Sequence, residues 1–184
     1  AGSLLVLTSP QTRGKVAEWI DFYTITEDVA VDDVTEKTAM LSLVGPIAGS
    51  LLDDKAGQEV SALSLHESAG VDLGGVEATV IRTDFLGLRS YDVAVQANHG
   101  QGLWTDLVQA GARPTSAEAM EAVRVEQGGP AYGSELGEDY NPLEANLIEY
   151  VSFSKGCYVG QEVVARLNTY DKVQKRLVGL LWDF

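Results

Sequence analysis

This sequence predicts an α+β fold with mixed, mostly antiparallel sheets and packed helices, and three observations carry that prediction. Residues 76–82 and 91–95 alternate apolar and polar side chains on either side of a turn containing Gly87, the pattern of a hairpin. Helical apolar spacing recurs around residues 10–23, 100–110, 115–127 and 163–167. The two kinds of segment do not alternate regularly, as a parallel sheet built from βαβ units would require.

Taken in order, Leu4, Leu5, Val6 and Leu7 read as a short buried strand, followed by a helix with Ser9 as its cap and Pro10 at its first position. Val16, Trp19, Ile20 and Tyr23 line one face of that helix. Residues 29–31 and 38–44 are strand-like, and Gly45-Pro46 ends the second and opens a short helix through Leu52. Residues 60–73 fit neither period. After the hairpin, a helix over 100–110 presents Leu103, Trp104, Leu107 and Val108 inward. A second helix opens on the capping box Thr115 to Glu118 and closes at Gly128-Gly129-Pro130. Residues 131–141 have no apolar period and form a long loop, the kind of segment that carries function in compact domains. A helix over 163–167 and a strand-like run over 176–182 complete the chain.

Composition narrows the function classes. The 184 residues are 45% apolar, so the chain has material for a core, and 27 acidic against 13 basic side chains give a net charge of −14. Such a field repels phosphate backbones and anionic lipid surfaces, so neither nucleic acid nor membrane is an expected partner. The apolar run over 177–182 is far short of the ~20 residues of a membrane span. One Cys excludes an internal disulfide framework, and Ala1-Gly2-Ser3 lacks the head of a signal peptide. A reduced cytoplasmic or organelle-matrix setting is expected. His66, His99 and one Cys cannot close a zinc site, so no metal centre is expected, and Gly100-Gln101-Gly102 lacks the third glycine of a dinucleotide fingerprint.

Charge is unevenly placed. Residues 152–176 carry Lys155, Arg166, Lys172, Lys175 and Arg176 against Glu162 and Asp171, a local +3 that leaves −17 on the rest. An island of this kind either receives an anionic ligand or is a solvated helix face with a Glu162–Arg166 pair. Cys157 lies within it, beside Lys155 and before a helix, where a thiolate is favoured; the alternative is a small buried hydrophobe. Arg124 and Glu126 sit at a helix end just before the irregular loop. Glu126 could accept two N–H bonds from a flat heterocycle, or the two could belong to a helix-terminal salt bridge.

The string Lys155-Gly-Cys-Tyr-Val-Gly-Gln-Glu162, continued to Arg166, resembles the signature of the YgfZ-type folate-binding proteins, relatives of the aminomethyltransferase (T-protein) of the glycine cleavage system. Leu41 to Pro46, Arg124-Val-Glu-Gln-Gly128 and Asn141-Pro-Leu-Glu144 resemble further segments of that family. The resemblance implies a T-protein-like domain that binds tetrahydrofolate, or a one-carbon derivative, and assists iron–sulfur cluster assembly or maintenance in client proteins. It makes Glu126 a pterin contact and Cys157, with Lys155, the functional thiol. Arg124, Tyr158, Gln161, Glu162 and Arg166 are expected around the folate. It also implies a single, partial domain over 1–184, lacking most of an N-terminal segment and ending near 176–184 as a strand leads to a C-terminal barrel. Thr169-Tyr-Asp-Lys172 replaces a Gly-containing turn of the family. Two alternatives stand beside this reading: a true aminomethyltransferase, and a folate-binding or docking module without chemistry.

Overall fold

Strand β1, Thr38–Val44, turns Ala39, Leu41 and Leu43 to one side and Met40 and Ser42 to the other. Its partner β4, Leu88–Gln96, pairs antiparallel with Leu41 opposite Val93 and Leu43 opposite Tyr91. These assignments come from a computed structural model that describes residues 3–85 and 87–180. β3, Glu77–Phe85, forms the expected hairpin with β4 in the register Val80 opposite Val93. β2, Ser68–Asp72, lies in the stretch without a clear period and pairs with β3. The strand order is β1-β4-β3-β2, all antiparallel, a Greek-key arrangement.

The chain resolves into two compact units, residues 12–117 and residues 3–11 with 118–180, where the sequence is read as one domain. The first unit holds the main core. Helix α1, Arg13–Tyr23, belongs to it, as do α2, Ala48–Ala56, and α3, Gly100–Gln109. Leu51 and Leu52 of α2 and Leu103 and Leu107 of α3 join Val60, Leu73, Val80, Tyr91, Val93 and Val95 in one cluster. Tyr91 is fully buried, and its hydroxyl accepts a bond from Arg89 Nε at 2.9 Å. The Arg82 guanidinium lies 5.4 Å from its ring centroid.

The second unit has few buried apolar side chains among its described residues, Leu143, Ala145 and Val164, and none of them is fully buried. It contains α4, Ala117–Glu126, and α5, Gln161–Thr169, joined by a long irregular segment. Two helix ends show why the chain turns where it does. After α4, Gly128 takes φ 70° while the Gly128 and Gly129 amides bond Val125 O and Arg124 O, the Schellman pattern. After α5, Asp171 takes φ 47° and the Asp171 and Lys172 amides bond Asn168 O and Leu167 O. Asp171 thus occupies the left-handed position that a glycine would supply, a conformation its short polar side chain tolerates.

Several expectations are corrected. Leu4 to Leu7 form no strand and are exposed, and so are residues 29–31. An apolar run makes a strand only where a partner edge is available, and neither run finds one in the sheet. In α3, Leu103 and Leu107 are buried but Trp104 and Val108 are exposed, since the inward stripe is narrower than the apolar one. Helical structure begins at Pro10 as expected, but as a 3₁₀ turn over Pro10–Thr12 that leads into α1 at Arg13. α2 starts two residues after Pro46 and runs on to Ala56. Residues 176–180 carry no strand pairing, although the Leu177 amide donates to Glu144 O at 2.9 Å. Residues 181–184 of the expected terminal strand lie outside the described residues.

Gly100 and Gly102 give opposite predictions on one helix. A Cβ at Gly100 would lie 2.5 Å from the Ala39 Cβ on β1, whereas a Cβ at Gly102 meets nothing within 4 Å. Gly100→Ala is expected to destabilise by about 1–3 kcal/mol through overpacking. Gly102→Ala should stabilise by about 0.5–1 kcal/mol through helix propensity. Urea midpoints of the two variants against the parent check both signs.

Candidate functional site

Arg124 lies near the end of α4 with its side chain 13% exposed, and its guanidinium is fully engaged. Nε donates to Glu121 Oε2 at 2.8 Å and Nη2 to Glu121 Oε1 at 2.6 Å. Nη1 donates to Glu135 Oε2 at 2.8 Å and to the Gly129 carbonyl, while Nη2 reaches Glu135 Oε1 at 3.4 Å. A guanidinium has five N–H donors, and these bonds use all five. Glu135 Oε2 also accepts the Ala131 amide at 3.0 Å, so one carboxylate holds both the arginine and the start of the loop. Within the loop, the Gly133 amide bonds Leu136 O and the Leu136 amide bonds Ala131 O. The irregular segment is therefore a tied turn, anchored to the helix it follows.

The charges respond to this arrangement. The Ala131 amide and then the Arg124 guanidinium hold the Glu135 carboxyl below its ordinary value, although partial burial opposes them. Arg124 likewise lowers the Glu121 carboxyl, and both glutamates raise the arginine. Arg124, expected around the folate, thus has its donors engaged within the protein, on Glu121, Glu135 and the Gly129 carbonyl. Sequence reasoning missed Glu135, eleven residues away in a stretch with no period; its only signal was the presence of acids in that loop. Glu126, two positions further along α4, is exposed, and its carboxylate takes part in none of the side-chain hydrogen bonds or ion pairs among the described residues.

The next turn is closed by side chains too. Asn141 Oδ1 accepts the Leu143 and Glu144 amides at 3.0 and 3.1 Å, and Glu144 Oε2 accepts the Asn141 amide at 3.1 Å. Asn146, at φ 59°, donates from Nδ2 to Leu177 O at 2.7 Å, which fixes the segment after α5.

Cys157 is exposed and carries a free thiol. It lies four residues ahead of α5, which begins at Gln161 behind a Gly160 cap at φ 86°, so the thiol is not at the helix N-terminus as expected. Lys155 stacks its ammonium over the Tyr158 ring, 4.5 Å from the centroid. The Gln161 Oε1 accepts the Tyr158 amide at 3.3 Å and the Gln161 amide returns a bond to Tyr158 O at 3.2 Å, which fixes the entry to α5. Tyr158, Gly160, Gln161, Glu162 and Ala165 line an open concavity of about 480 Å³. Glu162 and Arg166 form no ion pair among the described residues. Among the described residues no hydrogen bond or ion pair joins Glu126 to residues 155–166, so the candidate residues of this unit fall into two separate clusters. Among the described residues no group of three or more His, Cys, Asp or Glu side chains could hold a metal ion, and no helix is long and apolar enough to cross a membrane.

Comparison with known proteins adds an independent line. The model of the GCVT N-terminal domain matches residues 2–155, which include Arg124, Glu126 and Glu135 and stop short of Cys157. A chloroplastic protein of Arabidopsis thaliana, whose name is that of a transferase, is 33% identical over 187 residues, covering 97% of this chain and 41% of its own length. The aminomethyltransferase of Rubrobacter xylanophilus is 34% identical over 176 residues, covering 95% of this chain and 47% of its own. That of Caldanaerobacter subterraneus is 31% identical over 156 residues, covering 82% and 41%. The chain thus spans less than half the length of these relatives.

The lowered Glu135 and Glu121 carboxyls make the clamp acid-labile in a defined direction. A carboxylate held low in the folded state contributes stability above its unfolded value, about 4.3, and loses it as pH falls through the folded value. The denaturant midpoint should therefore hold from pH 7 to about 5 and decline below about 4.5. In Glu135→Gln the decline should be shallower and the midpoint at pH 7 lower, as chemical denaturation across that range will read.

Proposed function

The chain belongs to the family of the GCVT N-terminal domain, and from that membership we propose that it binds a reduced folate, tetrahydrofolate or a one-carbon derivative, for aminomethyl transfer of the glycine cleavage type. The observation that carries the proposal is the state of Glu126: an exposed carboxylate with no internal partner, on a helix end that Arg124 has already fastened. The donor set fits the ligand. A pterin ring presents an amide and an amino group side by side, and a free carboxylate accepts two parallel N–H bonds from such an edge. The exposed cations of the 152–176 island, Arg166 and Lys175 among them, suit the glutamate carboxylates of the tail. When bound, tetrahydrofolate supplies the nitrogens that accept the one-carbon unit. Glu126 then holds the ring, and Tyr158, Gln161 and Glu162 offer a second polar surface at the concavity before α5. The names of the bacterial relatives support this reading.

A second reading is supported by a different observation. Cys157 is an exposed free thiol within the Lys155 to Glu162 segment that resembles the YgfZ signature. In that reading the bound folate serves an accessory role for iron–sulfur proteins, and Cys157, with Lys155 nearby, meets a client or an assembly factor whose cluster is the cargo. One thiol cannot hold a cluster alone, so the partner supplies the other ligands. The setting expected for either role is the cytoplasm or an organelle matrix.

The test uses the full-length protein that contains this chain. Tetrahydrofolate at a hundredfold excess over its Kd should stabilise by about 2.7 kcal/mol, read as a rise in Tm. Glu126→Gln should remove about half of that rise or more without lowering the Tm of the free protein. Formation of methylenetetrahydrofolate from an aminomethyl-lipoyl carrier supports the first reading. Absence of that activity, with Cys157→Ser abolishing support of iron–sulfur enzymes but not the Tm rise, supports the second. A Tm rise with neither activity identifies a folate-binding module without chemistry, and no rise with tetrahydrofolate overturns folate binding itself.

A further inference from the structure

We infer that Arg124 and Glu135 are positioning residues for the folate site, acting together through Glu126 rather than on the ligand. The inference rests on the reading that Glu126 receives the pterin. Three features of the structure converge on it. First, the Arg124 guanidinium spends all five donors inside the protein, on Glu121, Glu135 and the Gly129 carbonyl, so it has none to offer a bound molecule. Second, those partners lie on three different segments: the body of α4, the glycine turn that ends it, and the loop beyond. Glu135 binds the loop back at two points, the guanidinium and the Ala131 amide. Third, Glu126 is the last residue of α4, between the clamped Arg124 and the Gly128 turn, and is itself free.

The geometry divides the labour. A terminal helical residue ordinarily frays, and a carboxylate on a frayed end must be ordered when it binds, at a cost in affinity. Here Gly129 donates to Arg124 O through its amide while its own carbonyl accepts from Arg124 Nη1, so the turn is tied to the same residue on both sides. The loop cannot peel away without breaking the Glu135 bonds. The Glu126 carboxylate is therefore presented from a backbone fixed before the ligand arrives.

A double-mutant cycle on the full-length protein tests this, with 5-formyltetrahydrofolate as the probe and Kd measured by calorimetry. Glu126→Gln should weaken binding about tenfold or more, as expected for a lost charge-assisted pair. Glu135→Gln should weaken it several-fold in the parent and scarcely at all in the Glu126→Gln background. Amide exchange should rise selectively over residues 127–136 in Glu135→Gln. Arg124→Lys, which keeps the charge but loses the fork, should behave like Glu135→Gln. Equal effects of Glu135→Gln in both backgrounds, or no effect on Kd in the parent while Glu126→Gln still weakens binding, would overturn the positioning role and leave the folate reading intact. If Glu126→Gln leaves Kd unchanged, the reading of Glu126 as the pterin contact fails; if the parent does not bind the probe, folate binding fails; in either case the inference falls.

Discussion

A helix that stops at Glu126 leaves its last carbonyls without intrahelical donors, and the residues that follow offer little apolar surface to bury. That constraint governs the second unit. With Leu143, Ala145 and Val164 as the buried apolar side chains among its described residues, it cannot be held as the first unit is, by a packed cluster around Tyr91 and Val93. Hydrogen bonds take that role instead. Gly128 and Gly129 cap the helix, Arg124 ties the turn and the loop to it, Asn141 and Glu144 close the next turn, and Asn146 holds Leu177. Each of these bonds adds about 1 kcal/mol, more where a charge is involved, so the unit depends on their number and on none being left half-made.

The first unit was the more legible in the sequence, for a physical reason. Strand β1 coincides with the expected residues 38–44, and the β3–β4 hairpin and α3 fall where period and turn chemistry put them. Alternation and helical spacing record which face meets a core, and this unit has one. Where there is no core the record is silent or misleading. Leu4 to Leu7 look like a buried strand because four branched residues in a row usually are, yet the pairing that makes a strand is a property of another segment. β2 was unreadable because Gly70 sits at its centre and its burial is one-sided and brief. Some of the candidate site was legible by residue type alone. The free carboxylate and the exposed thiol could be nominated, but the Arg124–Glu135 contact spans a loop with no period. Only the folded chain shows that Arg124 is spoken for.

The two clusters of candidate residues differ in kind. Around Glu126 the backbone is fastened and one acidic group is left over; around Cys157 the chain is exposed and glycine-rich, closed by the Tyr158–Gln161 pair and by the Lys155 amide on the Ser152 hydroxyl. A fastened carboxylate suits recognition of a rigid ring, for which geometry must be ready in advance. An exposed thiol on an open segment suits an encounter with a second macromolecule, which must approach the sulfur itself. The family model covers the first cluster and stops at residue 155, while the signature resemblance bears on the second.

Helix α1 displays Trp19, Phe22 and Tyr23, with the Phe22 and Tyr23 rings 5.0 Å apart edge to face, and Ile25 follows them on the surface. A sticky face of this sort is compatible with dispersed molecules because each copy carries a charge of −14. That repulsion reaches only about 8 Å at physiological ionic strength and about 3 Å in molar salt. Salt therefore sets how closely the aromatic faces of neighbouring copies approach before their charges oppose them.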